Sequence, residues 1–589
     1  MRRLPILLAV LLGLSACTTL PPKPPNIIVL ITDDQGYGDF GAKGNPVLQT
    51  PHLDAMAARS AEMTTFYVSP VCSPTRASLM TGRYNYRTRV VDTWIGRSMM
   101  EPEEVTLAEM LGDAGYATGL FGKWHLGDSY PMRPQDQGFD EVLMHRGGGI
   151  AQPSDPIGGE RKYTDPVLLH NGEPIQAEGY CTDVYFDHAL NWIGDQDTAE
   201  QPFFAYIAMN APHDPFHDVP EDWLARYQAM NLANDQYPQD NGHPLPDENQ
   251  QLDRRARIFA MISNIDDNVG RLFEHLDGLD LTRETIVVYL NDNGPMGNRY
   301  RAGFRGGKGG VYEGGVRSPL WVHWPGRLDP GPSSDAPAAH IDLVPTLLDA
   351  ADVTPPAEVN LDGRSLWPLL TRADNPSWAD RPLVIQSHRG DEPQRYHHFL
   401  LRTDRWKLLH NSGFGREHFE GEPDFQLYDL RADPYEMTDV ATANPDVVAD
   451  LQAQYDAWFD DVTTTRPDNF AKPRIVIDPA QEPITTLTRQ DWHDTGIRNW
   501  THPQTNGYWA LDVAEAGTYD IQVRASKGLT AETLTLDVNG MTYTAPAPSD
   551  YGTHTFEAVP LDAGALRLMA TLTTADGEQG AWHIDVSKS

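Results

Sequence analysis

From Asn26 to Thr32 (NIIVLIT) the chain is apolar or β-branched almost without a break, the pattern of a strand buried on both faces of a parallel sheet. The run stops at Asp33-Asp34 and a glycine-bearing turn, Gln35-Gly36-Tyr37-Gly38. Later segments repeat this grammar. Residues 116–121 lead into Gly122-Lys123-Trp124-His125-Leu126-Gly127, residues 203–209 into Asn210-Ala211-Pro212-His213, and residues 285–290 into Asn291-Asp292-Asn293-Gly294. Between them the periodicity predicts helices over 51–61, 106–114, 182–193 and 256–276. Strands alternating with helices predict an α/β domain over residues 26–374, with a mixed or parallel sheet flanked by helices. Ligands of such sheets sit beyond the carboxyl ends of the strands, where this chain concentrates its polar residues.

Near residue 375 the pattern changes. Short strands are predicted over 383–387, 398–402, 406–410 and 426–430 with no helix between them. An amphipathic helix over 446–462 follows, with Val447, Val448, Leu451, Tyr455, Trp458 and Phe459 on one side. This is a small antiparallel sheet plus helix, a subdomain over 375–465. From 472 to 589 the chain is β-rich, with strands over 475–477, 507–513, 517–524, 534–538, 553–558, 564–573 and 581–586. Turn residues at short spacing predict a β-sandwich accessory domain. Its Trp492, Trp500, Trp509 and Trp582 either fill the sandwich core, the commoner use of aromatics, or present a carbohydrate-binding face.

A length of 589 residues exceeds what one core organises, in keeping with several domains. The formal net charge of −37 argues against a nucleic-acid partner and against long-range attraction of polyanions. An anionic substrate would have to be held by cations concentrated in the site. At the N-terminus, Arg2-Arg3 and an apolar run over 4–14 form a signal peptide, residues 1–16, too short to remain as a spanning helix. Leu14-Ser15-Ala16-Cys17 resembles a bacterial lipobox; the alternative is an ordinary signal peptide cleaved near Ala16. The lipobox reading gives an exported lipoprotein held to the membrane by lipid on Cys17, with residues 17–25 as a proline-rich tether. Thr18 resembles the outer-membrane sorting pattern. Of the three cysteines, Cys17, Cys72 and Cys181, the last reads as a buried small hydrophobe.

The chemistry-bearing residues follow the predicted strands. Asp33 and Asp34 end one strand, Asp292 and Asn293 another. Taken alone such a pair is often a cap or turn; converging, they would repel without a hard divalent cation, Ca²⁺ or Mg²⁺ sooner than zinc. Lys123 and His125 sit two apart, which on an extended segment puts them on one side. Lys308 lies in Arg305-Gly306-Gly307-Lys308-Gly309-Gly310, a loop that permits close backbone approach to a ligand, and His213 precedes Asp214-Pro215 in a tight loop.

The stretch Cys72-Ser73-Pro74-Thr75-Arg76-Ala77-Ser78-Leu79-Met80-Thr81-Gly82-Arg83 resembles the C-x-P-x-R signature of type I sulfatases, members of the alkaline-phosphatase-like superfamily. Arg405-Trp406-Lys407-Leu408 and Leu427-Tyr428-Asp429-Leu430 also resemble their C-terminal subdomain, so the likeness runs over about residues 26–460. It implies that a maturation enzyme oxidises Cys72 to formylglycine, whose hydrate attacks sulfur with one hydroxyl and expels sulfate through the other. It also implies one Ca²⁺ on Asp33, Asp34, Asp292 and Asn293, completed by an oxygen of matured Cys72. By the same resemblance Arg76 holds the nucleophile, Lys123 and Lys308 neutralise sulfate oxygens, His213 protonates the leaving alcohol, and His125 takes the remaining hydroxyl proton. Asp292 is a candidate to deprotonate the attacking hydroxyl, a role that metal binding would weaken. Glu313 and Arg317 read as an ion pair fixing the Lys308 loop. The expected function is hydrolysis of a sulfate monoester, on a sulfated carbohydrate. The alternatives are a phosphonate or phosphate ester hydrolase of the same superfamily and a non-catalytic sulfoglycan-binding lipoprotein. The loop His145-Arg146-Gly147-Gly148-Gly149 and residues 298–301 are candidates to line the pocket beyond the sulfate.

Overall fold

A computed structural model describes residues 23–156, 161–239, 242–245, 251–372, 378–494, 502 and 504–589. Five strands, Asn26–Thr32 (β1), Ala117–Lys123 (β2), Glu141–His145 (β3), Phe203–Ala208 (β4) and Thr285–Asn291 (β5), run parallel in the order β5-β1-β4-β2-β3. They form the middle of a ten-stranded sheet and are joined to the strands on either side by antiparallel pairing. In β1 every residue is buried, and the faces alternate: Ile28 and Leu30 join one core, Ile27, Val29 and Ile31 the other. Burying each such side chain is worth about 1.5–3 kcal/mol. The first core is closed by the helices Pro51–Arg59, Cys181–Thr198 and Leu252–Gly278, the second by Cys72–Thr81, Leu107–Asp113 and Leu343–Ala351.

Strands Leu383–Gln386, Phe399–Arg402, Trp406–His410 and Gln426–Asp429 form an antiparallel sheet. Helix Pro445–Thr463 covers it through Leu451, Tyr455 and Phe459. Downstream, two sheets of seven and four strands enclose a third core containing Trp492, Trp509, Tyr519 and Ile584. That core also takes in Met99 and Met132, so the sandwich packs onto the α/β sheet's loops. Backbone bonds tie the two together: Val476 N donates to Tyr130 O at 3.0 Å, and Gly96 N to Gln490 O at 3.4 Å.

The expected helices form within a few residues of their predicted limits. In the sandwich Ile484–Thr488, Met541–Pro546 and Gly577–Gly580 were not expected, and in the α/β domain neither were Glu141–His145, Val167–His170, Glu173–Gln176, Leu320–His323 and shorter strands such as Ala61–Met63 and Gly331–Ser334. Met541–Pro546 has no buried residue, so its polarity hid it. Signal peptide, lipobox and Trp500 lie outside the described residues, as does all of the tether before Lys23. Among the described residues no helix is long and apolar enough to cross a membrane.

Candidate active site

Cys72 is the first residue of helix Cys72–Thr81, every residue of which is buried; Val71 before it is extended, and Gly82 closes the helix at φ 66°. Arg76 lies one turn on, on the same face. The hydroxyl of Thr75 donates to Asp292 O at 2.6 Å and accepts from Ser69 N at 2.9 Å, so the first turn is fastened to the end of β5. Burial pushes the Cys72 thiol above its ordinary range, even with Lys123 and Lys308 nearby.

Around this helix start stand the carboxyl ends of β1, β2, β4 and β5. Asp33 Oδ2 accepts from Lys123 Nζ at 2.6 Å, and Asp34 Oδ1 from Lys308 Nζ at 2.6 Å and Asn293 Nδ2 at 2.9 Å. Asp292 Oδ2 accepts from Arg76 Nη2 at 2.9 Å, and its Oδ1 from Asp34 N at 3.2 Å. The other Arg76 amino group donates to Lys123 O at 3.0 Å, while its Nε is buried without a partner. Burial would raise the Asp34 carboxyl, but Lys308 and His213 beside it hold it well below the carboxylate range. Burial, with Asp33 adjacent, lifts Asp292 to about 6 against Arg76 and Lys123.

This donor set fits a hard divalent cation. Asp33 Oδ1, Asp34 Oδ2 and Asn293 Oδ1 are buried and meet no hydrogen-bond donor, an arrangement that is costly unless a cation takes them. Ligand atoms of Asp33, Cys72 and Asp292 lie within 4.8 Å of one another, as do those of Asp33, Asp34 and His213. Three carboxylates are paired with Arg76, Lys123 and Lys308, so a divalent cation would leave the site net positive, as an anionic substrate requires.

The histidines differ in state. His213 Nδ1 lies 2.9 Å from Asp214 Oδ1 and 2.8 Å from Asp214 O, leaving Nε2 to face the site, 3.9 Å from Asp34 Oδ2. Burial and Lys308 disfavour its charge, but Asp33, Asp34 and Asp214 outweigh them and raise its pKa. His125 is pushed far below its ordinary pKa by burial and Lys123. Its Nε2 donates to Thr93 O at 2.8 Å, and its Nδ1 is buried without a partner. Gln490, from the sandwich, donates to the same Thr93 carbonyl and lies 3.2 Å from the ring. Sequence reasoning missed Thr93, Asp214 and Gln490. Asp214 carried a signal, being next to His213; Gln490 carried none, standing 365 positions from His125.

Several expectations need correction. The extended segment ends at Lys123, and His125 has a left-handed φ of 63°, so the two do not share a side by strand alternation. Arg299 does not line a pocket: it is buried, pairs with Asp39 Oδ2 at 2.7 Å and caps Asp34 O. Arg301 is spent on Gly306 O. Trp492 and Trp509 are sandwich core and present no carbohydrate face, whereas Trp582 is only half-buried. In the other candidate loop, a Cβ on Gly148 would come within 2.6 Å of His125 and one on Gly149 within 3.1 Å of His213, so only glycine lets this loop close over both rings. Glu313 and Arg317 do pair, at 2.8 Å, in a buried cluster with Lys407 and Tyr67.

Fold and site define a hydrolase of the alkaline-phosphatase-like superfamily. A family model described as Sulfatase matches residues 25–353, and one described as N-sulphoglucosamine sulphohydrolase, C-terminal, matches 307–461. The chain belongs to the sulfatase family, of the formylglycine-dependent type I, and is a sulfuric ester hydrolase. It is 32% identical to N-acetylgalactosamine-6-sulfatase of Canis lupus familiaris over 421 residues, 66% of this chain and 74% of that one. Human arylsulfatase A is 32% identical over 489 residues, 76% of this chain and 89% of that one. The crystal structure of Ps i-CgsB is similar at a TM-score of 0.62 and 26% identity, covering 76% of this chain and 94% of that one.

Proposed function

We propose that this sulfatase hydrolyses sulfate monoesters of a carbohydrate, with Cys72 matured to formylglycine and one Ca²⁺ held by Asp33, Asp34, Asp292 and Asn293. The observation that carries the reading is the set of orphaned buried oxygens gathered beside Cys72 and walled by Lys123, Lys308 and Arg76. Ca²⁺ would supply charge that favours an ionised hydroxyl and an anionic substrate, and formylglycine hydrate would supply that hydroxyl. The chain's own groups do the rest. Arg76, on the helix face it shares with residue 72, is held by Asp292 Oδ2 and Lys123 O and sets its charge beside the nucleophile. Lys123 and Lys308 keep ammonium N–H donors for sulfate oxygens beyond those given to Asp33 and Asp34. His213, anchored through Nδ1 on Asp214 and favoured as imidazolium, carries on Nε2 the proton a leaving alcohol needs. His125, held neutral with Nε2–H on Thr93 O, offers Nδ1 to accept a proton.

The carbohydrate assignment is supported by the relatives' names, N-acetylgalactosamine-6-sulfatase among them, and by a structure of Ps i-CgsB in complex with k-i-k-neocarrahexaose. With it go residues 26–374 as catalytic domain, 375–465 as C-terminal subdomain and 472–589 as accessory sandwich. Export as a lipoprotein on Cys17, with a maturation enzyme acting on Cys72, completes the proposal.

The test is sulfate and phosphate release by the Ca²⁺-loaded protein from sulfated sugars, an aryl sulfate and phosphate esters. Sulfate release should dominate, and Cys72→Ala should lower kcat/KM by at least about 10³-fold, since no other nucleophile replaces it. Dominant phosphate release, or sulfate release that survives Cys72→Ala, would refute the reading.

A further inference from the structure

A groove of about 390 Å³ opens where the α/β loops meet the sandwich. Gln152, Arg161 and Asp214 line one wall, Arg489, Gln579 and Trp582 the other. We propose that it is a subsite for the sugar residue adjoining the one that loses sulfate, taking a pyranose that bears an anionic group. The inference rests on the carbohydrate reading above and deepens it: the substrate is an oligosaccharide or polysaccharide, bound partly by the sandwich.

The groove is continuous with the active site. Asp214, in its wall, anchors His213 Nδ1 at 2.9 Å, and Gln152 lies against Gly148 and Gly149, the glycines that touch His125 and His213. A chain leaving the sulfated residue on the His213 side therefore enters it. Its volume falls within the range of about 300–1,000 Å³ usual for small-ligand sites.

Its chemistry is that of a charged sugar. The indole of Trp582 is the one tryptophan of the described sandwich with an exposed part in the groove, an apolar plate for the C–H face of a pyranose. The exposed Arg161 guanidinium stands 5.8 Å from its ring centroid, placed for a carboxylate or sulfate on the same sugar, while the buried Arg489 holds the strand behind the indole through Ala581 O and Gly580 O. Gln152 Oε1 is buried without a hydrogen-bond partner, an acceptor ready for a hydroxyl.

The walls are fixed relative to each other. Gln490, next to Arg489, is bound to Thr93 O, and His583, next to Trp582, to Pro153 O at 2.9 Å. A subsite built this way is preorganised. The sandwich wall also lies beyond residue 461, where the family matches end.

The experiment compares Trp582→Ala and Arg161→Ala with wild type, all full-length, Ca²⁺-loaded and checked by mass spectrometry for formylglycine. The substrates are sulfated hexosamines and galactoses, each as the monosaccharide and as a tetrasaccharide carrying the same sulfated residue. Wild type should prefer the tetrasaccharide, and each variant should lower the tetrasaccharide-to-monosaccharide ratio of kcat/KM by about tenfold. Arg161 is exposed, so its variant tests the groove even where Trp582→Ala disturbs folding. A wild type without chain-length preference, or variants that slow both substrates in parallel, would overturn the subsite alone. Hydrolysis of an aryl sulfate but of no saccharide would overturn the carbohydrate reading and the subsite with it.

Discussion

Asp491 illustrates how a single residue couples the two halves of the molecule. It follows Gln490 in the loop that reaches Thr93, and it is buried with one oxygen unpartnered. Burial, and then Asp128 of the α/β loops, push its carboxyl well above the ordinary range, against Arg146. The folded protein therefore keeps a proton that the unfolded chain releases near pH 4. Stability is unpenalised below that value and falls as pH rises toward the folded pKa. Asp491→Asn removes the penalty: its melting temperature should exceed that of wild type at pH 8, with the gap closing toward pH 4. A constant gap across that range would contradict the assignment. At this scale the sequence was most legible where a polar residue directly follows an apolar run, as for Asp33, Lys123, His213 and Asp292. It was silent on Gln490 and Thr93, whose importance lies only in what the fold brings beside them.

The elements deliver these residues through close strand contact. Gly122, in β2, has φ 124° and faces Ala208 of β4; a Cβ there would lie 1.9 Å from the Ala208 carbonyl oxygen. Only glycine lets these strands pair, one ending in Lys123 and the other leading to His213. Gly122→Ala should destabilise the α/β domain by on the order of 3 kcal/mol or more, read by chemical denaturation. Unchanged stability would show that the strands can part without cost. Long central strands were legible because burial on both faces leaves an unbroken apolar run. Strands on the flank such as Ala61–Met63 and Gly331–Ser334 are too short and too polar for that signal. The Cys72–Thr81 helix was legible as a motif but not as a helix, because burial on every side removes the amphipathic stripe.

Over the whole molecule, net charge and site charge oppose each other. A surface of −37 repels a sulfated chain until it is close enough for the buried cations to act. The ion pairs at the centre are buried and little affected by salt, whereas the long-range repulsion is screened beyond about 10 Å at 0.1 M ionic strength. Raising sodium chloride from about 0.02 to about 0.2 M should therefore raise kcat/KM severalfold for a multiply sulfated tetrasaccharide, and less for a monosulfate. A fall with salt for the tetrasaccharide would mean that exposed cations dominate its capture.

The burial of Cys72 also sets a clock. Its side chain is 2% exposed at the head of a helix enclosed on all sides. An oxidising enzyme needs the thiol in hand, and the finished fold withholds it. The proposed conversion thus belongs to the interval between synthesis and folding, and a molecule that folds first keeps its thiol for life. Specific activity in any preparation then records a race already run, and adding the oxidising enzyme afterwards does not change the result.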